Sequence, residues 1–143
     1  MNEKDFPVVR ISRQFESRPE VLFDAWIRPE IVRKWLFKSP VNEITEVSID
    51  PEAGGAFSIV ELTETGEVID HFGRYILVDR PHKLEFSLEV PKHFPGVTEV
   101  NLTFGQTAAG GCDLHFVQTG VEPRVVEESW RRMLGQLKEL LDK

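Results

Sequence analysis

The chain has 143 residues, 41% of them hydrophobic and 29% charged, which suits one soluble domain able to bury its own core. A formal net charge of -7 opposes a polyanionic partner, because nucleic-acid affinity rests on neutralising phosphates. The single cysteine, Cys112, excludes an internal disulfide and a thiolate zinc site within one chain, and no apolar run approaches the ~20 residues that span a bilayer.

The opening segment, MNEKDFPVVR, has no apolar signal core, so a cytoplasmic location is expected. Residues 8–16, VVRISRQFE, alternate imperfectly and predict a strand. In SRPEVLFDAWI, Ser17 can cap a helix, Pro19 suits its first position and Glu20 its first turn. Pro29 ends that helix and starts another, PEIVRKWLF, whose apolar side carries Ile31, Val32, Trp35 and Leu36. From Val41 the period becomes two. Strands are expected at 43–50, 56–63, 67–79, 83–90, 97–104 and 112–119, separated by Gly- and Pro-rich turns too short for crossovers. After Gly120 the period returns to helical, and one long helix is expected from about Pro123 to Leu141. A seven-strand antiparallel sheet with one apolar face needs that helix as its cover. The two short helices, with Trp26 and Trp35, then remain to close the open end.

The basic residues Arg28, Arg33, Lys34 and Lys38 are interleaved with Glu20, Asp24 and Glu30, which reads as a solvated helix face. His71, His82, His93 and His115 share no metal-ligand spacing, and no phosphate-cradling glycine motif occurs, so neither metal nor cofactor is expected. Cys112 reads as a small buried apolar side chain, since no basic group flanks it.

The stretches ISRQFESRPEVLFDAWIRPEIVRKW, PEAGGAFSI, FGRYILVDRPHKLEF and ESWRRMLGQL resemble the START-like (SRPBCC, helix-grip) superfamily. Within it they are most similar to small bacterial proteins resembling the C-terminal domain of the heat-shock-protein-90 ATPase activator. The likeness runs from about residue 8 to 141, within a single domain taken as 1–143. It implies an α+β helix-grip fold, with a curved seven-stranded antiparallel sheet around the C-terminal helix and a cavity between them. Superfamily members commonly bind apolar ligands there; a minority are cyclases, dehydratases or hydrolases. Where the family often has His near the end of the last strand, this chain has Gln118.

Strand parity supplies candidate site residues. Ile11, Arg13 and Phe15 share a face, and so do Phe57, Ile59 and Glu61, which the resemblance places inward. Arg13 and Glu61 are thus expected to share the polar end of a cavity or to reach solvent at a strand end. Further inner positions by parity are Phe72, Arg74, Ile76 and Val78; Phe86 and Leu88 with Leu84; Val100, Leu102 and Phe104; and Leu114, Phe116 and Gln118. The expected ligand-binding set is Arg13, Trp26, Trp35, Phe57, Ile59, Glu61, Phe86, Leu88, Trp130 and Leu134, with Trp35 at the cavity mouth and Trp130 structural. The expected function is binding of a small hydrophobic or amphipathic ligand. A chaperone-associated or other protein-interaction module is one alternative. The other is an enzyme of cyclase or hydrolase type, using Glu61 and an inner arginine.

Overall fold

The first strand and the second lie at opposite edges of the same sheet, and this fact organises the molecule. A computed structural model describes residues 7–142; most of the polar opening segment, residues 1–6, lies outside the described residues. β1 (Val8–Phe15) is followed by α1 (Pro19–Asp24) and α2 (Pro29–Trp35). Then come β2 (Glu43–Ile49), β3 (Ala56–Leu62), β4 (Val68–Asp79), β5 (Lys83–Leu88), β6 (Thr98–Gln106) and β7 (Cys112–Thr119), and finally α3 (Pro123–Leu141). The strand order is β1-β7-β6-β5-β4-β3-β2, every pair antiparallel. Six inter-strand spacings of about 4.8 Å separate the two edges, roughly 29 Å. The segment carrying α1 and α2 must cross that span, so it covers one end of the sheet.

Each helix begins on proline, where the missing N–H has no intrahelical partner to lose. Ser17 does not cap α1. Arg18 holds the cap position without a side-chain bond, and Ser17 Oγ donates instead to Asp142 Oδ1 at 3.0 Å. The backbone N–H groups of Glu16 and Ser17 also donate to the Asp142 carboxylate, at 2.9 and 3.2 Å. This junction ties the end of β1 to the end of α3.

α3 turns Val126, Trp130, Met133, Leu134 and Leu137 into one core shared with the sheet and with α1 and α2. Two strand pairings slip, between Ile44 and Glu46 in β2 and between Tyr75 and Leu77 in β4, and such bulges bend a sheet. In β4 the inner positions are Ile69, His71, Gly73 and Tyr75. The expected positions Phe72, Arg74 and Ile76 are therefore displaced by one residue, whereas beyond the bulge Val78 pairs with buried Leu84 and packs on the core as expected. β4 carries apolar groups on both faces, so period two does not say which set turns inward, and a one-residue change exchanges the faces. His71 is the consequence: it is an interior residue, 3% exposed.

Candidate functional site

A cavity of about 330 Å³ lies between α3, the β3–β4 part of the sheet and the β5–β6 loop. Its apolar wall includes Leu88, Val90, Phe94, Val126 and Met133, with Trp130 beside them. Its polar end is formed by Asn42, Glu61, His71 and His93. Four separate segments supply these groups: the α2–β2 loop, β3, β4 and the β5–β6 loop.

Asn42 organises the polar end. It is 6% exposed and uses both ends of its amide. Oδ1 accepts from the Ser39 N–H at 2.8 Å, while Nδ2 donates to the Phe37 carbonyl at 2.9 Å and to Glu61 Oε2 at 2.7 Å. The loop is thereby fixed to the carboxylate on β3. Lys38 Nζ adds a bond to the Asn42 carbonyl at 2.7 Å.

Phe37 is the unusual residue of this loop. Its φ of 59° places a bulky aromatic residue in the left-handed region, which is sparsely occupied by such side chains. Strain of that kind costs on the order of 1–3 kcal/mol and persists where surroundings over-determine it. Here the ring stacks on His71 at 3.9 Å between centroids and meets Trp130 edge-on at 5.7 Å. Its N–H donates to Met133 Sδ at 3.0 Å. No feature of the sequence period marks this residue.

His71 Nδ1 lies 3.2 Å from the Ile59 carbonyl oxygen. A carbonyl can only accept, so Nδ1 carries the proton and Nε2 is left with a free lone pair. Nε2 faces Glu61 Oε1 at 3.6 Å, beyond hydrogen-bond reach. Burial drives the His71 pKa down to about 4, against a smaller raising effect of the Ile59 bond, so the ring is neutral near pH 7. Two acceptors thus face each other on the cavity wall. The spacing of the histidines along the chain suggests no metal-ligand set, yet the fold brings two of them beside Glu61. Glu61, His71 and His93 each bring one ligand atom to within 4.8 Å of the others. Their sequence spacing conceals this because the three sit on different elements.

Gln118 lies at the same cavity and is fully buried. Its Oε1 accepts from Trp130 Nε1 at 2.8 Å and its Nε2 donates to Thr98 Oγ1 at 3.0 Å, which in turn donates to the Leu88 carbonyl at 2.7 Å. Both ends of the amide are used, so Gln118 anchors Trp130.

Of the expected ligand-binding set, Glu61, Leu88 and Trp130 line this cavity. Trp26, Phe57, Ile59 and Phe86 surround a neighbouring void of about 10 Å³, the size of one water. Trp26 Nε1 is buried there without a hydrogen-bond partner among the described residues. Leu134 is wholly buried core. Trp35 is not at the cavity mouth. It is completely buried, its Nε1 donates to the Ala25 carbonyl at 2.9 Å, and its ring meets Trp26 edge-on at 4.7 Å. Arg13 does not join Glu61. It opens into a surface groove with Glu16, Lys138 and Asp142, beside Gly135 of α3, because β1 is the opposite edge strand, five positions from β3 in the sheet. Arg74 points outward and donates to the Gly54 carbonyl at 3.0 Å. No inner arginine therefore meets Glu61. Cys112 is buried, and burial pushes its thiol up to about 11, the character of an inert side chain.

No helix among the described residues is long and apolar enough to cross a membrane. Residues 16–142 match the family model described as Activator of Hsp90 ATPase homolog 1-like protein. A protein from Chromobacterium violaceum superposes with a TM-score of 0.84 at 24% identity, over 95% of this chain and 97% of that one. One from Rhodobacter sphaeroides gives 0.82 at 23%, over 94% and 92%. A protein from Aeromonas hydrophila, described as like the same activator homologue, gives 0.77 at 21%, over 92% and 90%. No curated protein matches the chain.

Proposed function

The chain belongs to the Activator of Hsp90 ATPase homolog 1-like family, and from that premise we propose that it reversibly binds a small amphipathic ligand between α3 and the sheet. The observation that carries this reading is the two-ended cavity. Its volume of about 330 Å³ is at the lower end of ligand pockets. An apolar body would lie against Leu88, Val90 and Val126, and a hydroxyl or other donor head would meet the free acceptors of Glu61 and His71.

The experiment is identification by mass spectrometry of molecules that co-purify, together with titration of an uncharged naphthalene-type fluorescent probe. Val126→Phe extends a ring into the cavity from α3. It is expected to weaken probe binding at least about tenfold while the melting temperature holds. Equal binding by both proteins would sink the proposal.

The enzyme reading keeps one specific observation, the two bases Glu61 and His71 at 3.6 Å on a ligand-sized cavity. Turnover of a hydrophobic ester or lactone that disappears in Glu61→Gln while probe binding survives would favour it.

A further inference from the structure

We propose that Glu61, His71 and His93 form a binding site for a divalent first-row transition ion of the zinc type, open on its fourth side to the cavity. The three ligand atoms already lie within 4.8 Å of one another. Tetrahedral ligands about 2.0–2.1 Å from zinc are about 3.3 Å apart. Glu61 Oε1 and His71 Nε2 stand 3.6 Å apart, so these two need almost no adjustment. His93 is exposed in the β5–β6 loop and can close the remaining distance by a side-chain rotation.

Three features of the surroundings point to a cation. First, His71 Nε2 is a bare acceptor on a side chain only 4% exposed, with a carboxylate oxygen opposite it and no hydrogen bond among the described residues. Acceptor against acceptor is unfavourable unless a cation or a hydrogen-bond donor stands between them. Second, each of the two inner ligands is oriented by an outer partner. The Ile59 carbonyl holds His71 Nδ1–H, and Asn42 holds Glu61 Oε2 at 2.7 Å. This is the arrangement by which proteins fix imidazole tautomer and carboxylate direction at metal sites. Third, the Phe37 ring, itself held in a costly backbone conformation, stacks flat on the imidazole and fixes its plane. Two imidazoles and one carboxylate suit zinc and its neighbours, whereas calcium and magnesium prefer oxygen ligands. With three protein ligands a fourth position remains for water or for the head of a bound molecule.

The ion would take the two acceptors that the head of the proposed ligand would otherwise meet, and its binding is measured with no organic ligand present. The test therefore uses the purified chain, freed of metal with a chelator, and zinc chloride followed by calorimetry. Cobalt(II) absorption reports the coordination geometry. The expected result is one equivalent of zinc, a tetrahedral-type cobalt spectrum, and at least about tenfold weaker binding in both His93→Ala and Glu61→Gln. His93 is exposed, so its variant should fold normally, and circular dichroism checks this. His82→Ala, at an exposed histidine outside the cavity, is expected to bind as the parent does. Absence of saturable zinc binding, or unchanged affinity in His93→Ala and Glu61→Gln, would overturn the assignment. So would an equal loss in His82→Ala.

Discussion

Asn42 is the residue on which the polar end of the cavity depends, and no period in the sequence singles it out. Its amide joins the Ser39 N–H, the Phe37 carbonyl and Glu61. Asn42→Ala would leave these groups without their partner in a largely buried place. We expect a loss of about 1–3 kcal/mol, as for unsatisfied buried polar groups, read by urea denaturation. A loss within experimental error would show that water replaces the amide. Trp35 makes the opposite lesson. A ring on a short, proline-bounded helix reads as a lid, yet this one is buried and bonded to Ala25. Trp35→Ala should therefore cost about 3–5 kcal/mol, like other large core truncations, with probe affinity per folded molecule unchanged. Weakened binding at full stability would restore its place at the mouth.

At the scale of elements, two glycines separate backbone need from chance. Gly73 lies in β4 where a Cβ would run into the backbone of Ser87 on β5. Backbone cannot yield as a flexible side chain can, so Gly73→Ala is expected to destabilise by about 1–3 kcal/mol. Gly135 sits inside α3, where a Cβ would meet only the Arg13 guanidinium, at an ordinary 3.7 Å. Gly135→Ala should stabilise by about 0.4–1 kcal/mol, because alanine loses less backbone freedom in a helix. Thermal denaturation of the two variants in parallel checks both signs; two shifts in the same direction would contradict the contrast. The limits of β4 and α3 follow from composition and turns. The face of β4 that points inward does not, since its apolar residues occupy both parities and His71 lies among them.

For the whole molecule, the join between β1 and the end of α3 gives a pH signature. Burial alone would raise the Asp142 carboxyl. The hydrogen bonds from the Glu16 N–H, Lys138 and Ser17 outweigh it and hold the pKa below its ordinary 3.8. A carboxyl depressed in the folded state adds stability that is complete above the unfolded value and is lost as pH falls through the folded one. Asp142→Asn should thus reduce stability at pH 7 and flatten the acid side of the stability curve below about pH 4. Parallel curves for the two proteins would exclude this role. The sequence by itself determined the element order, the antiparallel connections, the α3 span of Pro123–Leu141 and the family likeness, because period and punctuation are properties of neighbouring residues. Leu88 was also legible as an inward position by parity, Glu61 through the family likeness, and Trp130 from the apolar face of α3. Only the tertiary structure decided that His71 turns inward, that Phe37 rather than Trp35 stands at the cavity, that Arg13 stays away from Glu61, and that His93 comes within reach of both acceptors. These juxtapositions arise from strand order, bulges and a loop anchored by Asn42, and such long-range geometry leaves no periodic trace in the chain.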